Sequence, residues 1–293
     1  MAAARDDIII GSHGERLAAY LYMPADARAP VPCVVMAHGF SATRDDGLPA
    51  YAEEFVRAGF AVVLFDYRHF GASSGEPRQL LDIDRQQQDY RAVVDWARHA
   101  KGIDPDRIVL WGSSFSGGHV LAVAAGDPRI AAVIAQAPFT DSIAVTRVTP
   151  VANIVRASVA ALADRAGALL GRPPRYIPPV GPPGSFAVMT AAEAEPGFAA
   201  IAGPNSLWRN EVAARIFLDV IPYRPFRYAR RLTMPVLFCV CDADATTPPA
   251  PSIRAAHDAP RGELLRYPYG HFDIYNDPQV KADQVAFLRR VFG

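Results

Sequence analysis

Residues 107–119 read R-I-V-L-W-G-S-S-F-S-G-G-H, three serines set among three glycines directly after an apolar, β-branched run. A serine hydroxyl is a poor nucleophile near neutral pH. It needs a base within hydrogen-bond reach and a third group that orients the base. The oxygen must also be exposed, and a sharp strand-to-helix turn does this when the residues two before and two after are small. Centred on Ser114, the run has Gly112 before and Ser116 after; centred on Ser116, it has Ser114 before and Gly118 after. The strand decides between them. The run I-V-L-W ends at Trp111, so a turn that follows at once presents Ser114, whereas Ser116 falls in the first turn of the helix. Ser114 is therefore the expected nucleophile, and the N–H of the next residue, Phe115, is an expected donor to the oxyanion of acyl chemistry.

The base and its orienter are expected downstream. After M-P-V-L-F-C-V-C comes Asp242-Ala243-Asp244-Ala245-Thr246-Thr247-Pro248, and after L-L-R-Y-P comes Tyr269-Gly270-His271-Phe272. Both loops fall at the C-terminal ends of predicted parallel strands, where open α/β sheets place their sites. His271 alone among the seven histidines follows a late strand and a glycine; His13, His38, His69, His99, His119 and His257 read as surface or packing residues. By position either Asp242 or Asp244 qualifies as the acid. Either would also cap the helix that T-T-P-P-A-P introduces.

The elements that must position these residues follow a regular pattern. Between Val31 and Ala137 the apolar runs V-P-C-V-V-M-A, F-A-V-V-L-F, I-V-L-W and I-A-A-V-I-A alternate with helical segments, as in βαβ units around a parallel sheet. Tyr90, Val93, Val94, Ala97 and Ala100 predict a helix over Ile83–Ala100 with one stripe on that sheet. Ahead of it, I-I-I-G-S-H-G-E-R-L-A-A-Y-L-Y predicts an antiparallel hairpin. The fold class is thus α/β, a doubly wound, mostly parallel sheet with an N-terminal hairpin. Residues 1–138 and 233–293 form its core, and 139–232 a helical, proline-rich cap insertion. The cap carries Phe186, Met189, Trp208, Ile216, Phe217, Tyr223 and Phe226, too apolar for a linker and suited to packing over the sheet's edge. At the end, Asp277 and Pro278 predict the N-cap and first residue of a helix with Val285, Leu288 and Val291 facing inward.

Composition narrows the partners. Lys plus Arg and Asp plus Glu both total 30 without any charged block, so neither nucleic acid nor an anionic membrane is expected. The N-terminus lacks the apolar region of a secretory signal and no run of eighteen apolar residues occurs, so a cytoplasmic protein is expected. Cys33, Cys239 and Cys241 read as reduced core thiols; H-E-x-x-H and paired C-x-x-C patterns are absent, so neither a metal nor a cofactor is expected. Oligomeric state stays open, a homodimer included.

Strand, G-x-S-x-S-G-G and helix resemble the nucleophile elbow of the α/β-hydrolase family, whose order of serine, acid and histidine is also met here. Asp244, four residues before Pro248, is similar to the family's D-x-x-x-P acid, with Asp242 at the acidic position that often precedes it. His38-Gly39-Phe40 is similar to the H-G-x oxyanion segment, which implies Phe40 N–H as the second donor. The segment F-D-Y-R-H-F-G-A-S-S-G resembles the family's D-Y-R-G-F-G-x-S-x-G loop, with His69 where glycine is usual. It implies that Asp66 and Arg68 pin this loop beside the oxyanion segment and that Tyr67 and His69 lie within reach of the pocket. Within the family the chain is similar to a branch that includes dienelactone hydrolases, X-Pro peptidases and polyketide acyltransferases. The resemblance implies a serine enzyme that works through an acyl-enzyme, and the Ala-, Pro- and aromatic-rich cap points to an ester or thioester of a largely apolar small molecule as the substrate it hydrolyses. The alternative is acyl transfer from a thioester to an alcohol or amine, with a peptidase or a non-catalytic binding protein weaker readings.

Overall fold

The computed structural model of the chain describes residues 5–25 and 29–293. Strands β1 (Arg5–Ser12) and β2 (Glu15–Tyr22) form the expected hairpin. Its two-residue turn uses His13 and Gly14, both at positive φ, the twist-matched turn of tight hairpins. Then follow β3 (Val31–Ala37), α1 (Pro49–Arg57), β4 (Ala61–Phe65), α2 (Ile83–His99), β5 (Ile103–Ser113), α3 (Phe115–Ala124) and β6 (Ile130–Gln136). After the intervening segment come β9 (Val236–Cys241), α8 (Pro249–Asp258), β10 (Gly262–Tyr267) and α9 (Pro278–Phe292). The sheet has eight strands in the order β1-β2-β4-β3-β5-β6-β9-β10. β1 and β2 are antiparallel to their neighbours and every other pairing is parallel.

Both faces of the parallel strands are covered, which is why those strands read as continuous Val/Ile/Leu runs. On one face Tyr90, Val93 and Val94 of α2, Val120 and Leu121 of α3 and Ala255 of α8 close a core with Val35, Leu110 and Phe238. On the other, Tyr51 and Phe55 of α1 and Phe287 and Leu288 of α9 pack on Val34, Trp111 and Cys239. The three cysteines are free and buried, and burial pushes the Cys33 and Cys239 thiols up to about 12, leaving them inert near neutral pH.

Two element readings need correction. Strand β5 runs on through Ser113, beyond the expected end at Trp111, so the turn follows the strand with no intervening residue. In α9 the Asp277 cap and Pro278 start are as expected, with Asp277 Oδ1 accepting from Gln279 N and Val280 N. Its inner face, however, is Val280, Gln284, Phe287 and Leu288, with Val285 and Val291 only partly buried beside it. A polar residue at the centre of that face hid it. Gln284 is satisfied there because Trp111 Nε1 donates to its Oε1 at 2.8 Å and its Nε2 donates to Gln136 Oε1 at 2.8 Å.

Between β6 and β9 the chain forms α4 (Ser142–Val148), α5 (Val151–Leu169), the short strands β7 (Tyr176–Ile177) and β8 (Val212–Ala213), α6 (Ala194–Ile201), α7 (Ile216–Val220) and a 3-10 turn over Pro225–Arg231. Asp164, buried on the inner side of α5, fastens this segment by accepting from Arg175 N, Arg215 N and the Arg215 guanidinium at 2.8–3.0 Å. Asp141 takes the Arg224 guanidinium bidentately at 2.8 and 2.9 Å. Tyr223 stacks on Phe139 and meets Phe115, so the returning chain packs directly behind the elbow.

Candidate active site

Ser114 follows β5 immediately and opens α3 with φ 56° and ψ −119°, a conformation L residues rarely adopt. Such strain costs on the order of 1–3 kcal/mol and persists because the surroundings over-determine it. Here Ser114 N donates to Gln136 O and Phe139 N donates to Ser114 O, so the end of β6 and the loop after it hold the turn from both sides. Close approach explains the glycines. A Cβ at Gly112 would sit 2.3 Å from Ser116 O, and one at Gly118 would sit 2.4 Å from Phe139 O. Neither oxygen can retreat without unfolding the turn. Gly112→Ala is therefore expected to cost about 3 kcal/mol of stability, read as a lowered denaturant midpoint, with activity lost in the same step.

The tertiary fold gathers residues that lie far apart in sequence. Ser114 Oγ is 3.0 Å from His271 Nε2, and His271 Nδ1 is 2.7 Å from Asp244 Oδ2. The Asp244 carboxylate is itself fixed. Its Oδ1 accepts from Thr246 N and Thr247 N at 2.9 and 2.6 Å, and its Oδ2 accepts from Thr247 Oγ1 at 2.8 Å. Asp242 turns away to the surface and pairs with Arg266 at 2.8 Å. Ser116 is buried beneath the elbow, its Oγ donating to His38 O and bonded to the Tyr67 hydroxyl. These geometries place Ser114 and Asp244, and neither Ser116 nor Asp242, within the hydrogen-bond chain through His271.

Phe40 and Phe115 meet edge to face at 5.5 Å between ring centroids, so the two loops that carry them lie side by side. Gly39 packs so closely on Ser114 that a Cβ there would lie 3.0 Å from the serine's own Cβ. As the first residue of α3, Phe115 has an N–H with no acceptor inside the helix. Beneath this loop His38 is buried, its Nδ1 against Gly39 O at 3.0 Å, and burial drops its pKa to about 4, so it is neutral.

The segment after β4 divides its work differently from expectation. Asp66 does pin the loop that follows β3, accepting from Arg44 N at 2.7 Å, and its own loop, accepting from Ala72 N at 3.0 Å. Arg68 instead reaches Asp89 on α2 and Ser12 at the end of β1. Tyr67 and His69 are fully buried, at 0 and 1 % exposure, and neither lines the cleft. Tyr67 is held by Ser116 and His69 by Arg85, which is why neither side chain can swing outward.

The cleft beside Ser114 and His271 is walled by Phe40, Leu48, Met189, Phe198, Ile201 and Phe272, with Asp46 and Tyr275 the polar residues of its lining beside the serine and histidine. Met189, Phe198 and Ile201 come from the segment between β6 and β9. That segment also sends a glutamate that no motif in the chain singles out. Glu193 Oε1 accepts from Ala245 N at 3.3 Å and from His271 N at 3.4 Å, clasping the acid and histidine loops together. Burial by itself would push the His271 imidazole down. The Asp244 carboxylate and its hydrogen bond, with the Glu193 charge adding to them, outweigh that and raise it above the ordinary histidine value. Removing the Glu193 charge should then lower the His271 pKa. In Glu193→Gln the acid limb of kcat/KM is expected at lower pH than in wild type, with the plateau kept within about threefold. An unmoved limb beneath a reduced plateau would make Glu193 only a structural clasp.

An eight-stranded sheet with this strand order, carrying a cleft-lining serine on a strained strand-to-helix turn and histidine and aspartate on later loops, defines an α/β-hydrolase enzyme. The family described as X-Pro dipeptidyl-peptidase (S15 family) matches residues 13–172, and the chain belongs to it. The chain is 44% identical to the quorum-quenching protein AidA of Acinetobacter baumannii over 97% of its own length and 94% of that protein's. It is 30% identical to the polyketide transferase grgF of Penicillium sp., covering 91% of this chain and 90% of that one. The crystal structure of the α/β-hydrolase GrgF from Penicillium sp. sh18 superposes with a TM-score of 0.83, at 27% identity and covering 98% of both chains. A further relative is the thiohydrolase aneE of Aspergillus aculeatus, 34% identical over 66% of this chain and 58% of that one. No helix among the described residues is long and apolar enough to cross a membrane, and no cluster of three or more metal-ligating side chains occurs among them.

Proposed function

We propose that the chain hydrolyses a carboxylic ester or thioester of a largely apolar small molecule through an acyl-enzyme on Ser114. The observation that carries this is the chain of contacts from Ser114 Oγ through His271 to Asp244, at 3.0 and 2.7 Å, opening onto a cleft walled largely by apolar side chains with Asp46 and Tyr275 also on its lining. In this reading His271 Nε2 takes the Ser114 proton as the hydroxyl attacks the substrate carbonyl. Asp244 holds the ring in the tautomer that leaves Nε2 free to accept, and stabilises the imidazolium that forms. The N–H groups of Phe40 and Phe115 receive the oxyanion. Such preorganised donors are worth about 3 kcal/mol each when aimed at developing charge. The tetrahedral adduct collapses, His271 returns the proton to the leaving alcohol or thiol, and water repeats the sequence to release the acid.

Residues 139–232 act as a cap in this reading. Met189, Phe198 and Ile201 close the apolar side of the cleft, where an acyl chain would lie. The cap residues that line the cleft, Met189, Phe198 and Ile201, include no carboxylate, and Glu193 beside them accepts from His271 N and Ala245 N, which weighs against dipeptide release. The same apolar enclosure supports a second reading. An acyl-enzyme kept from water passes its acyl group to an alcohol or amine, and relatives named polyketide transferase and acyltransferase favour it.

The two readings separate in one experiment. Wild type is mixed with excess p-nitrophenyl butyrate, nitrophenol release is followed from milliseconds onward, and the protein is weighed by mass spectrometry. Steady turnover means hydrolysis. A stoichiometric burst that stalls with one butyryl mass on Ser114, relieved only by an added alcohol or amine, means transfer. Absence of both burst and turnover, with thioester substrates equally inert, would sink both.

A further inference from the structure

One carboxylate on the cleft wall has half of its bonding unused. Asp46 lines the cleft beside Ser114 and is 1 % exposed. Its Oδ2 accepts from Thr43 N at 2.7 Å and from Thr43 Oγ1 at 2.9 Å, and Asp46 N donates back to Thr43 O at 3.1 Å, so the turn over 43–46 fixes the side chain. Its Oδ1 is buried and has no hydrogen-bond partner among the described residues. Burial raises the Asp46 pKa, outweighing the Ser206 hydroxyl and Thr43, which pull it down. Ser206 Oγ accepts from Trp208 N and makes no bond to Oδ1. A turn clamp needs one oxygen of the carboxyl. Leaving the other unpaired in a site shielded from water is costly, and it marks a place where a ligand can complete the bonding.

Asp46 stands on the side of the cleft given above to the acyl chain. The next residue, Gly47, is packed so tightly that a Cβ there would lie 2.8 Å from Tyr275 Cδ1 and 3.3 Å from Ile201 Cβ, and Ile201 belongs to that apolar wall. The chemistry of the free oxygen then defines the ligand. An ionised carboxylate only accepts, so a ketone is turned away, and a plain alkyl chain leaves Oδ1 unpaired. An ammonium group brings three donors, for which the other polar side chains of the lining offer little. The Tyr275 oxygen already accepts from Ser113 Oγ at 2.7 Å, and Ser114 and His271 bond each other. A hydroxyl brings one donor to the one free acceptor.

We infer that Asp46 is a specificity-determining residue of the acyl subsite and selects acyl groups that carry a hydroxyl, whose O–H donates to Asp46 Oδ1. The inference rests on the ester or thioester reading above and deepens it, naming a hydroxyacyl group where that reading specifies only an apolar one. A hydrogen bond to a charged acceptor is expected to discriminate by about ten- to a hundredfold.

The test compares kcat/KM for nitrophenol release from p-nitrophenyl hexanoate and from its 2-, 3- and 6-hydroxy derivatives, a constant that reports acylation whether water or an alcohol follows. The 4- and 5-hydroxy acids, whose activated esters cyclise, enter as sodium salts competing with the hexanoate ester, against sodium hexanoate as reference. In wild type at least one hydroxy compound is expected to exceed its plain counterpart by about tenfold or more. Asp46→Asn exchanges the free acceptor for a donor. Thr43 N and Oγ1 still require an acceptor, so the amide oxygen takes the place of Oδ2 and the NH2 group stands where Oδ1 was. The hydroxy-to-plain ratio is then expected to fall by about tenfold, and the 3-oxohexanoate ester to gain on hexanoate. Ratios near one across the wild-type panel overturn the inference, as does a hydroxy preference that survives in Asp46→Asn or a 6-amino ester that outruns the 6-hydroxy one. Should the variant fold poorly, the wild-type panel decides by itself. Turnover of hexanoate without any hydroxy preference sinks this inference alone, whereas a wild type inert toward every ester sinks the ester reading with it.

Discussion

Replacing Ser114 by alanine is expected to lower kcat/KM for p-nitrophenyl butyrate by about 10⁴–10⁶-fold, while substrate still binds. Loss of a nucleophile removes the whole covalent route, and what survives is the rate that the oxyanion donors and binding provide on their own. Ser116→Ala makes the decisive comparison. Ser116 Oγ bonds His38 O and the Tyr67 hydroxyl and has no contact with His271, so its removal should cost about 1 kcal/mol of stability and less than about tenfold in rate. If Ser116→Ala were the dead variant and Ser114→Ala active, the assignment of the nucleophile would fail. Mass spectrometry should show the acyl adduct on wild type and on Ser116→Ala, and none on Ser114→Ala.

Asp244→Asn is the second large effect, about 10⁴-fold in kcat/KM, because an amide donating to His271 Nδ1 would hold the ring in the tautomer that cannot accept the Ser114 proton. The pH dependence gives the assignment a second handle. In the proposed mechanism His271 works as a base only when neutral, so activity is expected to fall as pH drops through its pKa. The Asp244 carboxylate raises that pKa, which puts the acid limb of wild type above the ordinary histidine value of 6.5. With the carboxylate gone, burial dominates and lowers the pKa, so the residual activity of Asp244→Asn should persist to lower pH than wild type. Asp242→Asn is the control. Its carboxylate faces Arg266 at the surface, and the variant should keep both the wild-type rate and the wild-type limb. A limb that moves in Asp242→Asn instead would exchange the roles of the two aspartates.

Much of the architecture was legible because it rests on local rules. The strands show as short apolar runs since both their faces are buried, and α2 shows as a stripe since only one of its faces is. Where a local rule was broken by a long-range compensation, the reading slipped. The inner face of α9 was misread because Gln284 is polar, and only Trp111 and Gln136, brought in from β5 and β6, make its burial tolerable. Arg68 was set beside the oxyanion segment, although its partners Asp89 and Ser12 lie on other elements.

The sequence by itself determined the order of the elements, the strand-to-helix turn at Ser114, and the late loops that carry Asp244 and His271. These follow from periodicity, from glycine spacing and from the short range over which a turn is specified. Only the tertiary structure showed Ser114 and Asp244 within hydrogen-bond reach of His271, with Ser116 and Asp242 committed to other partners. It alone brought Glu193 to the histidine loop and Asp46 to the wall of the cleft. Those outcomes depend on contacts between residues tens to hundreds of positions apart, whose geometry is set by how helices pack on a twisted sheet and has no local signature in the chain.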